Sequence, residues 1–140
     1  MHRSARSLFL LAIGSAALML QGCSYRLRIQ VEERSGSVRF HFKKPQPFAR
    51  TTRISEFGVY RRGVSDWEYR APLWTFEAAL GPGDFRELAS VDYGDLPRSF
   101  SEEAPAAGLN AGEIYLACAS GDGGGGCQEF TLNHDINPPL

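Results

Sequence analysis

The sequence predicts an all-β protein folded as a single small antiparallel β-sandwich of about seven strands. Three observations lead to this prediction. Apolar and polar residues alternate one for one over several short runs, which is the pattern of half-buried strands. Clusters of Gly, Pro and Ser separate these runs and indicate turns. No long segment after residue 22 has the apolar period of a helix, and many short strands with turns between them favour a sandwich or a small barrel.

The chain has the length and composition of one globular domain. It contains 140 residues, of which 43% are hydrophobic and 22% charged. A domain of this size is long enough to bury one modest hydrophobic core.

The first two strands are predicted to form a hairpin. Every second residue of 25–32 is apolar, from Tyr25 to Val31, and the residues between them are polar. A Ser-Gly-Ser turn signal at 35–37 follows, and residues 38–43 alternate again. Two alternating runs separated by a short turn are the pattern of a β-hairpin.

The rest of the domain divides into short strands and loops. Ile54 and Phe57 are out of phase, so a bulge is expected near Glu56. Residues 98–112 are rich in Ser, Glu, Ala and Pro and are interpreted as a long surface crossover, and the glycine-rich segment 121–126 as the loop between the last two strands. The further strands are predicted at residues 52–62, 67–69, 73–76, 88–93, 114–120 and 128–133.

The N-terminus has the pattern of a secretory signal peptide. A basic start, from His2 to Arg6, precedes the uncharged apolar run 8–20. This run is shorter than the roughly 20 apolar residues that a membrane-spanning helix needs. A buried N-terminal helix is the alternative, which the lack of a polar face and of a helix cap disfavours. The sequence therefore predicts a signal helix that is cleaved from a mature domain.

The end of the apolar run resembles the lipobox of bacterial lipoproteins. It reads Leu20-Gln21-Gly22-Cys23, with Gln at a position where Ser or Ala is more usual. In that family a peptidase cuts before the cysteine, whose sulfur carries a diacylglyceryl group and whose new amino group is then acylated. The resemblance therefore divides the chain into a cleaved signal helix, 1–22, and a mature domain, 23–140. Stable membrane attachment takes two lipid signals, and three acyl chains on Cys23 would exceed that requirement.

The same resemblance implies a location. In Gram-negative lipoproteins an Asp after the lipidated cysteine retains the protein at the inner membrane. Here that residue is Ser24. The resemblance therefore implies a lipid anchor in the outer membrane, with the domain facing the periplasm.

Charge is distributed unevenly along the mature chain. Residues 23–70 contain 11 basic and 5 acidic side chains, whereas residues 71–140 contain 2 basic and 11 acidic ones. The basic half could lie against anionic lipid headgroups, for which Arg26 and Arg28 are closest to the anchor. Alternatively, strands from the two halves interleave and their charges pair, which is the favoured interpretation. The acidic balance of the mature chain disfavours a nucleic-acid partner.

The segment Leu109-Asn110-Ala111-Gly112-Glu113-Ile114-Tyr115 resembles the tyrosine corner of fibronectin type III and immunoglobulin-like sandwiches. That motif is Leu-x-Pro-Gly-Thr-x-Tyr, so Ala111 and Glu113 depart from it. The resemblance implies structural roles for Leu109, Gly112 and Tyr115. The tyrosine hydroxyl would bond back to the chain at the entrance to the penultimate strand.

Cys118 and Cys127 are expected to form a structural disulfide, because export places them in an oxidising compartment. Their spacing differs from the Cys-x-x-Cys of redox-active pairs. Placing the two cysteines opposite each other sets Leu116 across from Glu129, whereas matching apolar residues sets Leu116 across from Phe130. A bulge at Cys127 would reconcile the two registers.

The last hairpin is predicted to carry apolar or small side chains on both faces. Either other parts of the domain cover it, which is the favoured interpretation, or one face is a partner surface. The two predicted sets are Ile114, Leu116, Phe130 and Leu132 on one face, and Tyr115, Ala117 and Ala119 on the other.

No pattern of catalytic or metal-ligating residues is recognised. The glycine run lacks the Gly-Lys-Ser/Thr ending of a phosphate loop, and Asp122 alone cannot supply a calcium site. His41 and His134 have no zinc-ligand spacing. The adjacent carboxylates at 32–33 and 102–103 lie in predicted turns and are interpreted as solvated surface. No cofactor is expected.

The sequence therefore favours a lipid-anchored periplasmic binding or scaffold module without catalysis, whose partner it does not identify. The alternatives are a component of an envelope assembly, such as the small sandwich lipoprotein of type VI secretion, and a protein like the periplasmic lysozyme inhibitors. A small envelope hydrolase is the alternative of a different class. It requires a pocket with convergent polar groups around Asp92, Asp95 or His134.

Overall fold

The structure is a computed structural model that describes residues 26–44, 52–63, 66–80, 84–122 and 124–138. The predicted signal segment 1–22 lies outside these residues. Within them, no helix long and apolar enough to cross a membrane is found. The strands are β1 (Arg28–Arg34), β2 (Ser37–Lys43), β3 (Arg53–Arg61), β4 (Trp74–Ala78), β5 (Arg86–Glu87), β6 (Ser90–Asp92), β7 (Phe100–Ala104), β8 (Ile114–Gly121) and β9 (Gly124–Thr131).

The strands form two antiparallel sheets, which confirms the prediction of a small all-β sandwich. The smaller sheet has the order β1-β2-β6. The larger has the order β7-β4-β3-β8-β9, and β5 also pairs with β3. The described residues form nine strands, where about seven were expected, and two of them, β5 and β7, lie where the sequence analysis predicted no strand.

The predicted first hairpin is confirmed. β1 pairs with β2 from Arg28↔Lys43 to Arg34↔Ser37, which leaves a two-residue turn. Gly36 occupies that turn with a φ of 76°, a conformation that glycine adopts without steric cost. Ile29 of β1 and alternate residues of β2 are buried, as the alternation predicts.

The bulge expected near Glu56 is also confirmed. The register between β3 and β8 shifts between Ile54 and Glu56. The extra residue, Ser55, donates its hydroxyl to the Ser120 carbonyl, 3.2 Å away. The bulge brings both Ile54 and Phe57 into the core.

Two predictions about the middle of the chain were wrong. Residues 98–112 are not a crossover throughout, because β7 lies within them at the edge of the larger sheet. Only Phe100 of β7 is buried. Because the other residues of this edge strand are exposed or half-buried, their composition resembles that of a surface loop. Residues 67–69 do not form a strand, and Trp67 makes only an isolated bridge with Arg62.

The last hairpin differs from the prediction in extent, register and faces. Residues 124–126 belong to β9 rather than to a loop. Cys118 is paired with Cys127 and Leu116 with Glu129 in an unbroken ladder, so no bulge is present at Cys127. Phe130 therefore shares a face with Tyr115 and not with Leu116.

The cysteine pair and the hairpin turn fix this register. The inner face of the hairpin lies in the core, with Tyr115, Ala117, Ala119 and Phe130 all buried. Leu116 points to the outer face, where it lies opposite Tyr60 of β3. The interpretation that the domain itself covers the hairpin is correct for the inner face.

Aromatic rings join the two sheets across the core. The Phe57 ring of β3 lies 5.0 Å from that of Phe40 and 5.4 Å from that of Phe42, both on β2 in the opposite sheet. Within its own sheet it lies 5.9 Å from Trp74 and 5.4 Å from Phe76. These centroid separations are within the range of favourable aromatic pairs. Phe57 is therefore the common neighbour of four buried rings.

We expect Phe57→Ala to lower the free energy of unfolding by about 3–5 kcal/mol, since it removes a large buried ring and leaves a cavity. Denaturant unfolding followed by tryptophan fluorescence would measure the change. The matched control is Leu80→Ala, an apolar truncation at a side chain that is 78% exposed. A loss no greater than in that control would contradict the central role of Phe57.

Candidate functional site

A surface groove lies between β1 and β9, the edge strands on one side of the two sheets. Its volume is about 1070 Å³. One wall consists of residues 26–31 and Glu33, together with Lys43 of β2. The other wall consists of residues 125–131 of β9. We refer to this cavity as the β1–β9 groove.

The two walls of the groove touch at one end through main-chain atoms. A Cβ atom at Gly126 would overlap the Leu27 carbonyl oxygen. Only glycine permits this approach, which is a physical reason for glycine within β9. The contact places the start of the described chain, Arg26, directly beside the β9 edge.

Glu33 holds the two walls together at the other end. Its carboxylate accepts hydrogen bonds from the Asn133 main-chain N–H (3.0 Å) and side-chain amide (2.7 Å) and from the His134 main-chain N–H (2.9 Å). The His134 Nδ1 lies 3.1 Å from the same carboxylate. The hydrogen bond from the Asn133 main chain is the largest cause of the lowered pKa of Glu33. These contacts join the end of β1 to the loop that follows β9.

The end of the groove near Gly126 is basic. Arg26 and Arg28 are exposed, and Lys43 lies opposite Arg28 in the ladder of the first hairpin. Lys43 donates a hydrogen bond to the Gln30 side chain, 2.6 Å away. No carboxylate among the described residues lies within 4.0 Å of the charged atoms of these three side chains. The basic end, defined as Arg26, Arg28 and Lys43, is therefore available to an anionic partner.

The remaining charges on the outer face of the smaller sheet are paired. Arg39 of β2 makes a two-pronged contact with Asp92 of β6, and this contact is the main cause of the lowered pKa of Asp92. Glu32 accepts hydrogen bonds from Arg34 and lies 2.7 Å from His41 Nε2. The Arg34 hydrogen bond, followed by the His41 contact, lowers the pKa of Glu32 to about 2.

Ion pairs also join the basic and acidic halves of the chain. They connect Arg39 with Asp92, Lys44 and Arg53 with Asp122, and Arg61 with Glu113. In the larger sheet, β3 from the basic half lies between β4 and β8 from the acidic half. The favoured interpretation of the charge asymmetry, that strands interleave and charges pair, agrees with this topology.

The predicted disulfide is confirmed between Cys118 and Cys127. The two Cα atoms are 4.1 Å apart and lie directly opposite each other in the ladder. This separation is typical of the pairs in an antiparallel ladder that do not exchange hydrogen bonds. The bond lies on the outer face and ties the glycine-rich start of β9 to β8.

The segment that resembles a tyrosine corner has the contact that the motif implies. The Tyr115 hydroxyl accepts a hydrogen bond from the Asn110 main-chain N–H, 2.7 Å away. Gly112 has a φ of 77°, and Leu109 is buried and bridges to Ile136. Burial is the main cause of the raised pKa of Tyr115.

Two smaller depressions lie near the residues named for a hydrolase. One of about 170 Å³ is lined by Asp92 and Asp95, and the Asp92 carboxylate in it is bonded to Arg39. The other, of about 470 Å³, is lined by His134 and Glu33, which are bonded to each other. In the part of the chain that the structure describes, no group of three or more His, Cys, Asp or Glu side chains is placed to hold a metal ion.

The structure thus brings only some of the predicted residues together. Arg26 and Arg28 lie at the groove with Cys127, whereas the tyrosine corner lies elsewhere in the fold. Cys23 and Ser24 lie outside the described residues. The sequence analysis did not single out Lys43 or Gly126 as groove residues. Treating residues 124–126 as part of the last strand, rather than as a loop, would have placed Gly126 on the edge of the sheet.

A scan of protein-family models, a search of curated proteins and a search of solved structures each found no match to this chain.

We expect the double variant Cys118→Ala/Cys127→Ala to lose about 2–3 kcal/mol of unfolding free energy, the value for a short closed loop in the chain-entropy model. Denaturant unfolding would measure it. The wild-type protein treated with a reducing agent serves as the control and should match the variant. An unchanged midpoint in both would contradict a stabilising role for the bond.

Stability should fall in acid because of Glu32 and Glu33. The folded pKa values of both groups lie below the ordinary value of 4.5, and that of Glu32 is about 2. Their contribution to stability is therefore present above pH 4.5 and is lost as the pH falls through the folded pKa values. Glu33→Gln should lower the thermal midpoint at pH 7 and reduce its further decrease in acid. The control is Glu103→Gln, at an exposed edge position. Identical pH profiles for Glu33→Gln and the wild type would contradict this prediction.

Proposed function

We propose that the protein is a lipid-anchored, non-enzymatic binding or scaffold module at the periplasmic face of the outer membrane. The observation that carries the proposal is the β1–β9 groove, whose basic end includes the first described residue, Arg26. Arg26 follows the proposed lipidation site, Cys23, by three residues. A fully extended chain spans at most about 3.3–3.6 Å per residue, so the anchor would hold the groove close to the bilayer surface.

The arrangement of charges supports binding rather than catalysis. Asp92 and Glu33, one at each of the two smaller depressions, are held by partners: Asp92 pairs with Arg39, and Glu33 accepts hydrogen bonds from Asn133 and contacts His134. Groups held in this way cross-link strands and loops. The basic end of the groove, in contrast, has cations without carboxylate partners among the described residues, which suits an anionic partner.

The fold is best classed with immunoglobulin-like or fibronectin type III-like sandwiches. The Tyr115 corner and two facing antiparallel sheets support this class. Such sandwiches commonly present edges and end loops to partners. A groove that joins two sheet edges suits a component of an envelope assembly, and it also suits a protein that binds a periplasmic partner in the manner of a lysozyme inhibitor.

Intact mass spectrometry of the membrane fraction tests the anchor. We expect loss of residues 1–22, the added mass of lipid on Cys23, and one disulfide. The matched variant Cys23→Ala, which retains the apolar run, should remain uncleaved and without lipid. An unmodified full-length mass for the wild-type protein would overturn the anchor and with it the proposed location.

A further inference from the structure

We propose that the free edge of β9 binds an extended segment of a partner protein by strand addition, and that acidic side chains of this segment contact Arg26, Arg28 and Lys43. The inference rests on the proposed function and specifies the partner class of the same groove. Strand addition combines main-chain hydrogen bonds to a sheet edge with side-chain contacts that select the partner.

The register identifies which main-chain groups of β9 are free. A two-residue hairpin turn makes the flanking residues a hydrogen-bonded pair, which here is Gly121 with Gly124. Hydrogen-bonded and non-hydrogen-bonded pairs then alternate, so the cysteine pair belongs to the second type, as its short Cα separation indicates. The N–H and C=O groups that point away from β8 are consequently those of Gly125, Cys127, Glu129 and Thr131. The Glu129 C=O accepts a hydrogen bond from the Gln128 side-chain amide, 2.8 Å away, so the free groups are the others in this set.

β9 lacks the features that usually protect an edge strand. Long flat edges are normally blocked by Lys, Pro, bulges or short length. Among the described edge strands, β6 has three residues, and β7 has a register shift against β4 and is followed by Pro105. β1 carries Arg28 and has Lys43 beside it. β9 has eight residues, an unbroken register with β8, and no Pro, Lys or Arg.

The groove provides room and a rigid template for an added strand. Its volume of about 1070 Å³ adjoins residues 125–131, and alternate residues of this range carry the outward groups that the partner would bond. Residues 124–126 have no side chains to obstruct an approaching main chain. The disulfide at Cys127 holds the template in one register against β8.

Charge determines the chemistry of the occupant. The Leu27 carbonyl touches Gly126, and its chain neighbours Arg26 and Arg28 line the groove together with the glycine-rich start of β9. The opposite end of the same edge carries Glu129. A bound segment should therefore have acidic residues at the end near Gly125 and neutral or basic residues at the end near Thr131.

The test uses the full protein purified in detergent and a synthetic peptide of about eight residues, the length of β9. The peptide alternates Val and Thr and has three Asp residues at one end. Amide hydrogen exchange by NMR is the direct readout. In the free protein the amides of Gly125, Cys127 and Glu129 should exchange faster than those of Gly126 and Gln128, and peptide binding should slow only the faster set.

Two peptides and two pairs of variants separate main-chain pairing from charge. A peptide N-methylated at every main-chain nitrogen keeps its charge and should not bind. A peptide with Lys in place of Asp should have an affinity at least about fivefold lower. Glu129→Pro should weaken binding about tenfold relative to Glu129→Ala, because proline removes one donor and blocks the edge. Arg28→Glu should weaken binding about fivefold, and the exposed control Arg70→Glu should not.

If Glu129→Pro fails to fold, the methylated peptide still tests main-chain pairing, because it is added to the wild-type protein. Equal binding of the methylated and unmethylated peptides would overturn strand addition. Dimerisation in sedimentation experiments with protection of the β9 amides would instead identify a second copy as the occupant. Binding to anionic phospholipid vesicles that Arg28→Glu abolishes, without peptide binding, would identify the membrane.

The proposed function can survive failure of this inference. A photo-crosslinker at Gln128 that captures a defined partner, while the acidic peptide does not bind, would overturn only strand addition by an acidic segment. A full-length, unlipidated mass would overturn the anchored module, whereas peptide binding to β9 would be unaffected.

Discussion

The contact of Phe57 with Phe40 and Phe42 is the interaction on which the rest of the structure depends. It joins the two sheets at the centre of the core, with ring centroids 5.0 and 5.4 Å apart. The bulge at Ser55 brings Phe57 inward, and the same bulge sets the register of β3 against β8. Since β9 pairs only with β8, the position of the groove wall follows from this central packing.

The groove combines a well-defined template with an unsatisfied edge. The disulfide, the unbroken β8–β9 ladder and the Glu33 hydrogen bonds to Asn133 and His134 all restrict movement of β9 relative to the domain. Its outward main-chain groups nonetheless have no strand partner among the described residues. A pre-organised edge loses little conformational freedom on binding, so main-chain hydrogen bonds to it contribute more fully to affinity.

Local patterns predicted the parts of the fold that local chemistry determines. The first hairpin follows from alternation and Gly36, the bulge from the phase of Ile54 and Phe57, and the disulfide from the cysteine count. The patterns failed where tertiary pairing decides. β7 has one buried side chain of five and resembles a loop, and glycine at 124–126 signals a loop although the register of β8 extends through it. The groove arises from two edges distant in sequence, so no local motif contains it. The lipid anchor remains a prediction.

The contact between Leu27 and Gly126 has a mechanical consequence. The chain leaves the described fold toward its proposed anchor at this point, and the groove that we assign to the partner begins at the same point. A pull between the membrane and a bound partner would therefore act along nearly one line, with a short lever arm and little torque on the sandwich.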